Sequence, residues 1–353
     1  MKRIAALGAL LFALLCLASC VSIEYYAQAA SGHLEVMWAA APIDERLRAA
    51  DTPAPLKEKL QRVLVIRDFA SRELALPDND SYRRYADLGR PFVVWNVFAA
   101  PEFSVTPVQS CFPIAGCVSY RGFYSEEAAR RHADALAKAG DDVYVGGVTA
   151  YSTLGWFSDP VLSTFIQYPE PEVARILFHE LAHQEVYVKG DTVFNESFAV
   201  AVEEEGLRRW LDREGTPAQR DAYVVSRRRQ AEFAALVLKY RARVADFYGQ
   251  PLSSDAKREG KRRLFAEMND EYGALKTSWG GFAGFDRLLA RGPNNAFLVS
   301  IASYTELLPA FRALLAQKNG DLAAFYAAVQ ELARLDKSER NARLATLDPN
   351  RSR

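Results

Sequence analysis

The sequence has no excess of charge of either sign: 44 lysines and arginines stand against 44 aspartates and glutamates in 353 residues. That balance excludes the electrostatic footprint of a nucleic-acid binder, and no polybasic segment is present to hold the chain to an anionic membrane. There is no internal repeat, no low-complexity tract and no linker-like stretch, so repeat arrays and strings of separate modules are excluded. Histidine and cysteine are scarce, at four each. A site built from either must draw on very few positions. What is present is an ordinary globular composition, 50% hydrophobic and 25% charged, long enough for one large domain or two intimately packed ones.

The N-terminus reads as an export signal. Lys2 and Arg3 form a positive start, and Ile4 to Ala18 is an apolar run too short for a comfortable membrane span. It ends in Leu17-Ala18-Ser19-Cys20, which resembles the bacterial lipobox. The resemblance implies removal of residues 1–19, acylation of Cys20 and a tether over 20–42, ahead of a domain at 43–353. Val21 rather than an aspartate follows the cysteine, which by analogy points to the outer membrane, with the domain facing the periplasm. The competing reading is a plain secretory signal. Export also bears on Cys111 and Cys117, the pair left once Cys16 and Cys20 are set aside. In an oxidising compartment they read as a disulfide rather than free thiols, and no further cysteine or nearby histidine supports a metal there.

The expected fold class is α+β: a small sheet in 43–168 backed by a helical part in 169–353 that carries the metal site. Pro55 to Leu76 has helical spacing, Pro91 to Ala99 reads as a buried strand, and Ser125 caps a helix that stops at Gly140. Asp142 to Leu154 reads as a strand in which Gly146-Gly147 marks a bulge or a close approach by another backbone. Helices then follow from Pro171, from Asn195 to Trp210, from Thr216-Pro217 to Tyr248, and from Ser254 to Tyr272. A last helix is capped by Asp321.

Two of the four histidines fall in Phe178-His179-Glu180-Leu181-Ala182-His183. Residues four apart on a helix share a face, so His179 and His183 can hold one metal ion while Glu180 reaches a water beside it. A catalytic zinc needs a third ligand and an open position. Twelve residues separate His183 from Glu196, with Gly190 and Asp191 among them to turn the chain, and Glu196 falls in the first turn of the next helix. Its other reading is an acid favoured by the helix dipole. Glu203, seven residues further along the same face, is positioned to orient an imidazole. Glu185 and Asp191 read as loop or surface residues.

His179-Glu180-x-x-His183 followed by Asn195-Glu196-x-x-Ala199 resembles the gluzincin metallopeptidases. Together with Cys111 to Cys117 and Ala150-Tyr151-Ser152-Thr153-Leu154-Gly155-Trp156, the chain resembles the bacterial family of putative aminopeptidases over nearly its whole mature length. The resemblance implies one Zn2+ per chain, a peptide substrate and Glu180 as general base. The stretch from helix to third ligand is shorter than in the best-known gluzincins, so their substrate contacts do not transfer. Tyr304 and Tyr151 are the candidates for stabilising an oxyanion, whereas His33 lies in the expected tether and His132 in a surface helix. The alternatives are a zinc endopeptidase, a non-peptide hydrolase, and a non-enzymatic lipoprotein binding module with a structural zinc. The oligomeric state leaves no signal in the sequence.

Overall fold

The structure, a computed structural model, describes residues 24–112, 116–290 and 292–348. The expected signal segment 1–19, the lipidation position Cys20 and residues 113–115 between the two remaining cysteines lie outside the described residues. The architecture is α+β, with short strands confined to the first half and a second half that is helical almost throughout.

Residues 24–39, within the expected tether, instead form a helix, α1, laid against the body of the protein. Tyr25 stacks on Phe112 at 5.5 Å between ring centroids and lies under the Arg121 guanidinium at 3.9 Å. A Cβ at Gly32 would meet the Tyr124 ring at 2.3 Å, so only glycine lets the helix approach this closely. Val36 is fully buried. The inward stripe is thus Tyr25, Gln28, Gly32 and Val36. One polar and one side-chain-free position interrupt its apolar period, which is why helical spacing does not stand out there.

After β1 (Ala40–Pro42) and α2 (Ile43–Arg48) comes α3 (Ala54–Leu74), which buries Leu60, Val63, Ile66 and Phe69. It also buries Arg67 completely. That guanidinium donates to the carbonyls of Ser81 at 2.8 Å and Pro77 at 2.6 Å, so the charge is satisfied while it pins the following loop. The strands are β2 (Arg84–Ala86), β3 (Val94–Pro101), β4 (Ser110–Phe112), β5 (Gly116–Val118) and β6 (Tyr120–Phe123). Then come α4 (Glu126–Lys138), with the Ser125 hydroxyl accepting from the Ala128 amide, then β7 (Asp141–Val148) and β8 (Val161–Leu162). Two three-stranded sheets result, β1-β2-β8 and β6-β3-β7, with β4 and β5 as a separate hairpin closed by a disulfide between Cys111 and Cys117.

The β3–β7 register runs unbroken past Asn96–Gly146 and Trp95–Gly147, so the glycine pair marks no bulge. What approaches Gly147 is the Phe92 ring, 2.4 Å from where a Cβ would stand, and not another backbone. Among the described residues β7 pairs with a strand on one side only, and the Asn294 side chain donates to its Val143 carbonyl at 2.9 Å.

The helical half comprises α5 (Glu170–Glu185), α6 (Thr192–Glu214), α7 (Pro217–Tyr248), α8 (Ser254–Ser278), α9 (Asp286–Leu289), α10 (Asn295–Thr305), α11 (Leu308–Gln317), α12 (Leu322–Ala333) and α13 (Lys337–Leu347). Thr216 and Gln219 close a capping box at the start of α7. The stretch Asn295–Gln317 is long and apolar enough to cross a membrane, but half of it is buried inside the fold. α10 meets β3 and β7 on one side and α6 and α7 on the other, so its apolar residues are those of a core helix.

The main core joins α3, α5, α6, α11 and α12 to residues of the β1-β2-β8 sheet. At its centre Gly206 of α6 faces Leu74 and Phe178, where a Cβ would stand 2.8 Å from each side chain. That glycine sets how closely α6 can approach α5.

Candidate metal centre

α5 begins after Pro169 and runs through both histidines, so one turn of helix separates His179 from His183, with ring centroids 4.9 Å apart. Neither the turn nor the second helix is placed by chance. Asn195, 2% exposed, accepts a hydrogen bond from the Val188 amide at 2.7 Å and donates to the Val188 carbonyl at 2.9 Å, clamping the connection. Gly190 supplies the positive φ of the turn, at 79°. Asp191, read from the sequence as a loop or surface residue, is buried instead. It caps α6 through the Phe194 amide and pairs with Arg340 of α13 at 2.6 Å. The cap starts α6 at Thr192, so Glu196 sits in the second turn rather than the first. Glu185 ends α5 half-buried and accepts from Gln330 at 3.0 Å.

These elements bring His179, His183 and Glu196 together, with one potential ligand atom from each inside 4.8 Å of the others. The Nε2 atoms of His179 and His183 lie 3.3 and 3.7 Å from Glu196 Oε2. Donors at tetrahedral positions about a zinc with bonds of about 2.0–2.2 Å stand roughly 3.3–3.6 Å apart, so the spacing suits a shared cation. The electrostatics point the same way. Burial opposes charge on His179, but hydrogen bonds to Glu196 and Glu203 outweigh it and raise its pKa to about 10. Burial likewise opposes charge on Glu196, and His183 and His179 overcome it and lower the carboxyl to about 2. The carboxylates thus favour a positive charge among these atoms. Nitrogen and oxygen donors of this kind suit a divalent transition metal.

Glu203 lies behind His179. Its Oε2 is 2.8 Å from His179 Nδ1, on the ring edge away from Glu196, and 3.0 Å from an Arg175 nitrogen. That partner makes Nδ1 the protonated nitrogen and leaves the Nε2 lone pair facing the other ligands. Glu204 is turned to Arg312 and Arg227, and Glu205 to Arg208 and Arg209. Consecutive helix residues point about 100° apart, which separates the three roles in this glutamate run.

Glu180 borders a cleft of about 570 Å³ that also exposes His179, Tyr304 and Val148, Thr149 and Ala150 at the end of β7. Burial raises its proton affinity; the His179 and His183 charges lower it, Glu196 and Glu203 raise it, and the net shift is upward. The two tyrosine candidates part here. The Tyr304 ring lies nearly parallel to His179 at 6.3 Å between centroids. Tyr151 turns away and bonds His33 Nδ1 at 2.9 Å. His33 therefore belongs to a packed helix, and neither it nor His132 joins the ligand group.

Two groups near the site were not legible in the sequence. Tyr120 on β6 has its hydroxyl proton held chiefly by burial and next by the Glu196 carboxylate. Asp159 is pushed up to about 7 by burial, with Glu180 adding to the effect. With 16 tyrosines in the chain, Tyr120 carries no local mark, and Asp159 sits in no motif.

A family model described as "Putative aminopeptidase" matches residues 24–344, from the first described residue of α1 into α13. The chain belongs to this family. Membership in the putative aminopeptidases thus extends to α1, whose described residues the family model covers. Comparison with curated proteins and with solved structures gave no match.

Proposed function

We propose that this chain is a zinc-dependent peptidase of gluzincin type that removes N-terminal residues from peptides. In this reading it is exported and held through lipid on Cys20 to a bacterial membrane, the outer one, facing the periplasm. The observation that carries the reading is the convergence of His179, His183 and Glu196 on one point beside Glu180, at the wall of an open cleft. Family membership supports the peptidase class.

His179, His183 and Glu196 would hold the zinc. When bound it would supply Lewis acidity, polarising the scissile carbonyl and making a water acidic near neutral pH. Glu180 takes the proton of the attacking water on a carboxylate oxygen and delivers it to the leaving amine nitrogen. Its raised proton affinity suits both halves of that transfer, since a carboxylate of ordinary acidity would hold the proton too weakly. Tyr304 is the group assigned to donate a hydrogen bond to the developing oxyanion, because its ring stands beside His179 at the cleft. Glu203 holds the His179 ring, and Arg175 holds Glu203. Beyond the Asn294 contact at Val143, the edge of β7 leads to the cleft through Val148, where an extended peptide can add as a strand.

The test is a metal analysis of the purified mature domain, with wild type and Glu180→Gln compared on aminoacyl arylamides and on N-blocked peptides. The expected result is about one zinc per chain in both proteins and at least a hundredfold lower turnover in the variant, on unblocked substrates only. Cleavage of blocked peptides alone would remove the aminopeptidase assignment and leave an endopeptidase. Bound metal without hydrolysis of any substrate would leave a structural zinc.

A further inference from the structure

The outward face of α1 is apolar where a free surface helix is ordinarily polar. Ala27, Ala30, Leu34 and Trp38 are exposed and lie on one stripe of the helix, with Tyr26 at its margin and Glu24, Ser31 and Glu35 along the other side. Trp38 is 79% exposed. Beside the stripe lies the loop after Tyr151. The Phe157 ring packs on His33 at 4.7 Å between centroids, and Phe157 and Trp156 remain 53% and 70% exposed. Tyr26 and Trp38 are twelve residues apart, about 18 Å along the helix axis, and Phe157 meets the helix between them. Two sequence-distant segments thus expose aromatic side chains, Phe157 meeting the helix at His33 on the Tyr26 flank of the stripe and Trp38 standing further along it. These residues are tryptophans, a phenylalanine and a tyrosine, the types that settle at a membrane–water interface.

We propose that these residues seat the domain on a bilayer surface, so that the protein holds the membrane by lipid on Cys20 and by α1 together. The inference rests on the lipid-anchor reading for its partner. Three residues separate Cys20 from Glu24, the first described residue of α1, and four residue steps of extended chain span at most about 14 Å. An acylated cysteine thus keeps the Glu24 end of α1 within about 14 Å of the bilayer. A single chain gives marginal, reversible membrane binding, and a second contact makes it stable. No basic residue lies on the exposed stripe of α1, so the attraction is apolar and independent of lipid charge. The site's family role is untouched, since Trp38, Trp156 and Phe157 do not border the cleft at His179.

The test uses residues 21–353, which contain every described element and no acylated cysteine. The fragment is floated with vesicles of phosphatidylcholine alone and of phosphatidylethanolamine with phosphatidylglycerol, and tryptophan emission is recorded. Flotation with both compositions is expected, with a blue shift and less than a threefold change between 0.05 and 0.5 M salt, roughly the range over which charge-driven binding collapses. Trp38→Ser combined with Trp156→Ser and Phe157→Ser should weaken partitioning about tenfold or more, with zinc content and hydrolysis unchanged. Trp38→Ser alone should give a smaller loss and guards against a folding defect in the triple variant. Three outcomes would overturn the inference: a fragment that stays with the lipid-free fractions, a triple variant that floats like wild type, or self-association that hides the tryptophans in place of lipid binding. Palmitate labelling of the full chain and of Cys20→Ser tests the anchor separately.

Discussion

Replacing Glu203 by glutamine is the sharpest probe of the candidate centre, because it alters no ligand and little volume. The carboxylate is 5% exposed and accepts from His179 Nδ1 at 2.8 Å and from Arg175 at 3.0 Å. Both donors meet the same oxygen, Oε2, so a glutamine oxygen placed there still accepts from both, but as a neutral group: the charge assistance of these hydrogen bonds is lost, worth about 1.5–3 kcal/mol. His179 Nδ1–H then faces a weaker acceptor, and the ring is held less firmly in this tautomer and orientation. Any turn or tautomer change of the loosened ring takes the Nε2 lone pair away from the point shared with His183 and Glu196. The expected loss in zinc affinity is therefore about 10- to 100-fold, the usual cost of removing a partner behind a ligating histidine. Competition against a chromogenic chelator measures it, and nitrogen-15 shifts of His179 report the tautomer. Glu205→Gln is the control. Its carboxylate is engaged by Arg208 and Arg209, so zinc affinity should change less than twofold, roughly the size of an ordinary surface effect. An affinity within threefold of wild type for Glu203→Gln, or an equal loss in both variants, would refute the role assigned to Glu203.

Gly206→Ala places a methyl group 2.8 Å from both Leu74 and Phe178, and should destabilise the fold by about 1–3 kcal/mol, read as a lower midpoint in urea. Asp159 is buried, and burial lifts its carboxyl to about 7, so the folded state binds a proton that the unfolded chain has released above about pH 4. This contribution is full below that pH and is lost as pH rises toward 7. Asp159→Asn should therefore flatten the decline of stability between pH 4 and 7, as followed by denaturant titrations at several pH values; an unchanged slope would contradict the assignment. Reduction of the Cys111–Cys117 disulfide frees a loop of a few residues and should cost about 2 kcal/mol, measured as a drop in thermal midpoint with a thiol present.

Many of the helices were legible because their signals are local. Thr216-Pro217 opens α7, Asp321 caps α12 and Ser125 caps α4, each through a contact within three residues. The strands were mostly invisible. β1, β2, β4, β5 and β8 are two or three residues long, too short for any alternation to register. The start of α6 was misplaced by three residues. Its cap, Asp191, holds the Phe194 amide through a local contact, and what the sequence did not show is its burial against Arg340, 149 residues away.

The sequence by itself determined the pairing of His179 with His183 and the position of Glu180 beside them. Those relations follow from 3.6 residues per turn and need nothing beyond one helix. The tertiary structure alone decided everything that crosses between elements. It brought Glu196 of α6 to within 3.7 Å of both imidazoles and turned Glu203, rather than Glu204 or Glu205, toward His179. It set Tyr304 at the cleft and Tyr151 against His33, and it folded residues 24–39 onto the body with an aromatic face left outward. Spacing along a helix is a property of the local backbone. Distance between helices depends on how closely they pack, here through Gly206 and the Asn195 clamp, and no local pattern encodes it.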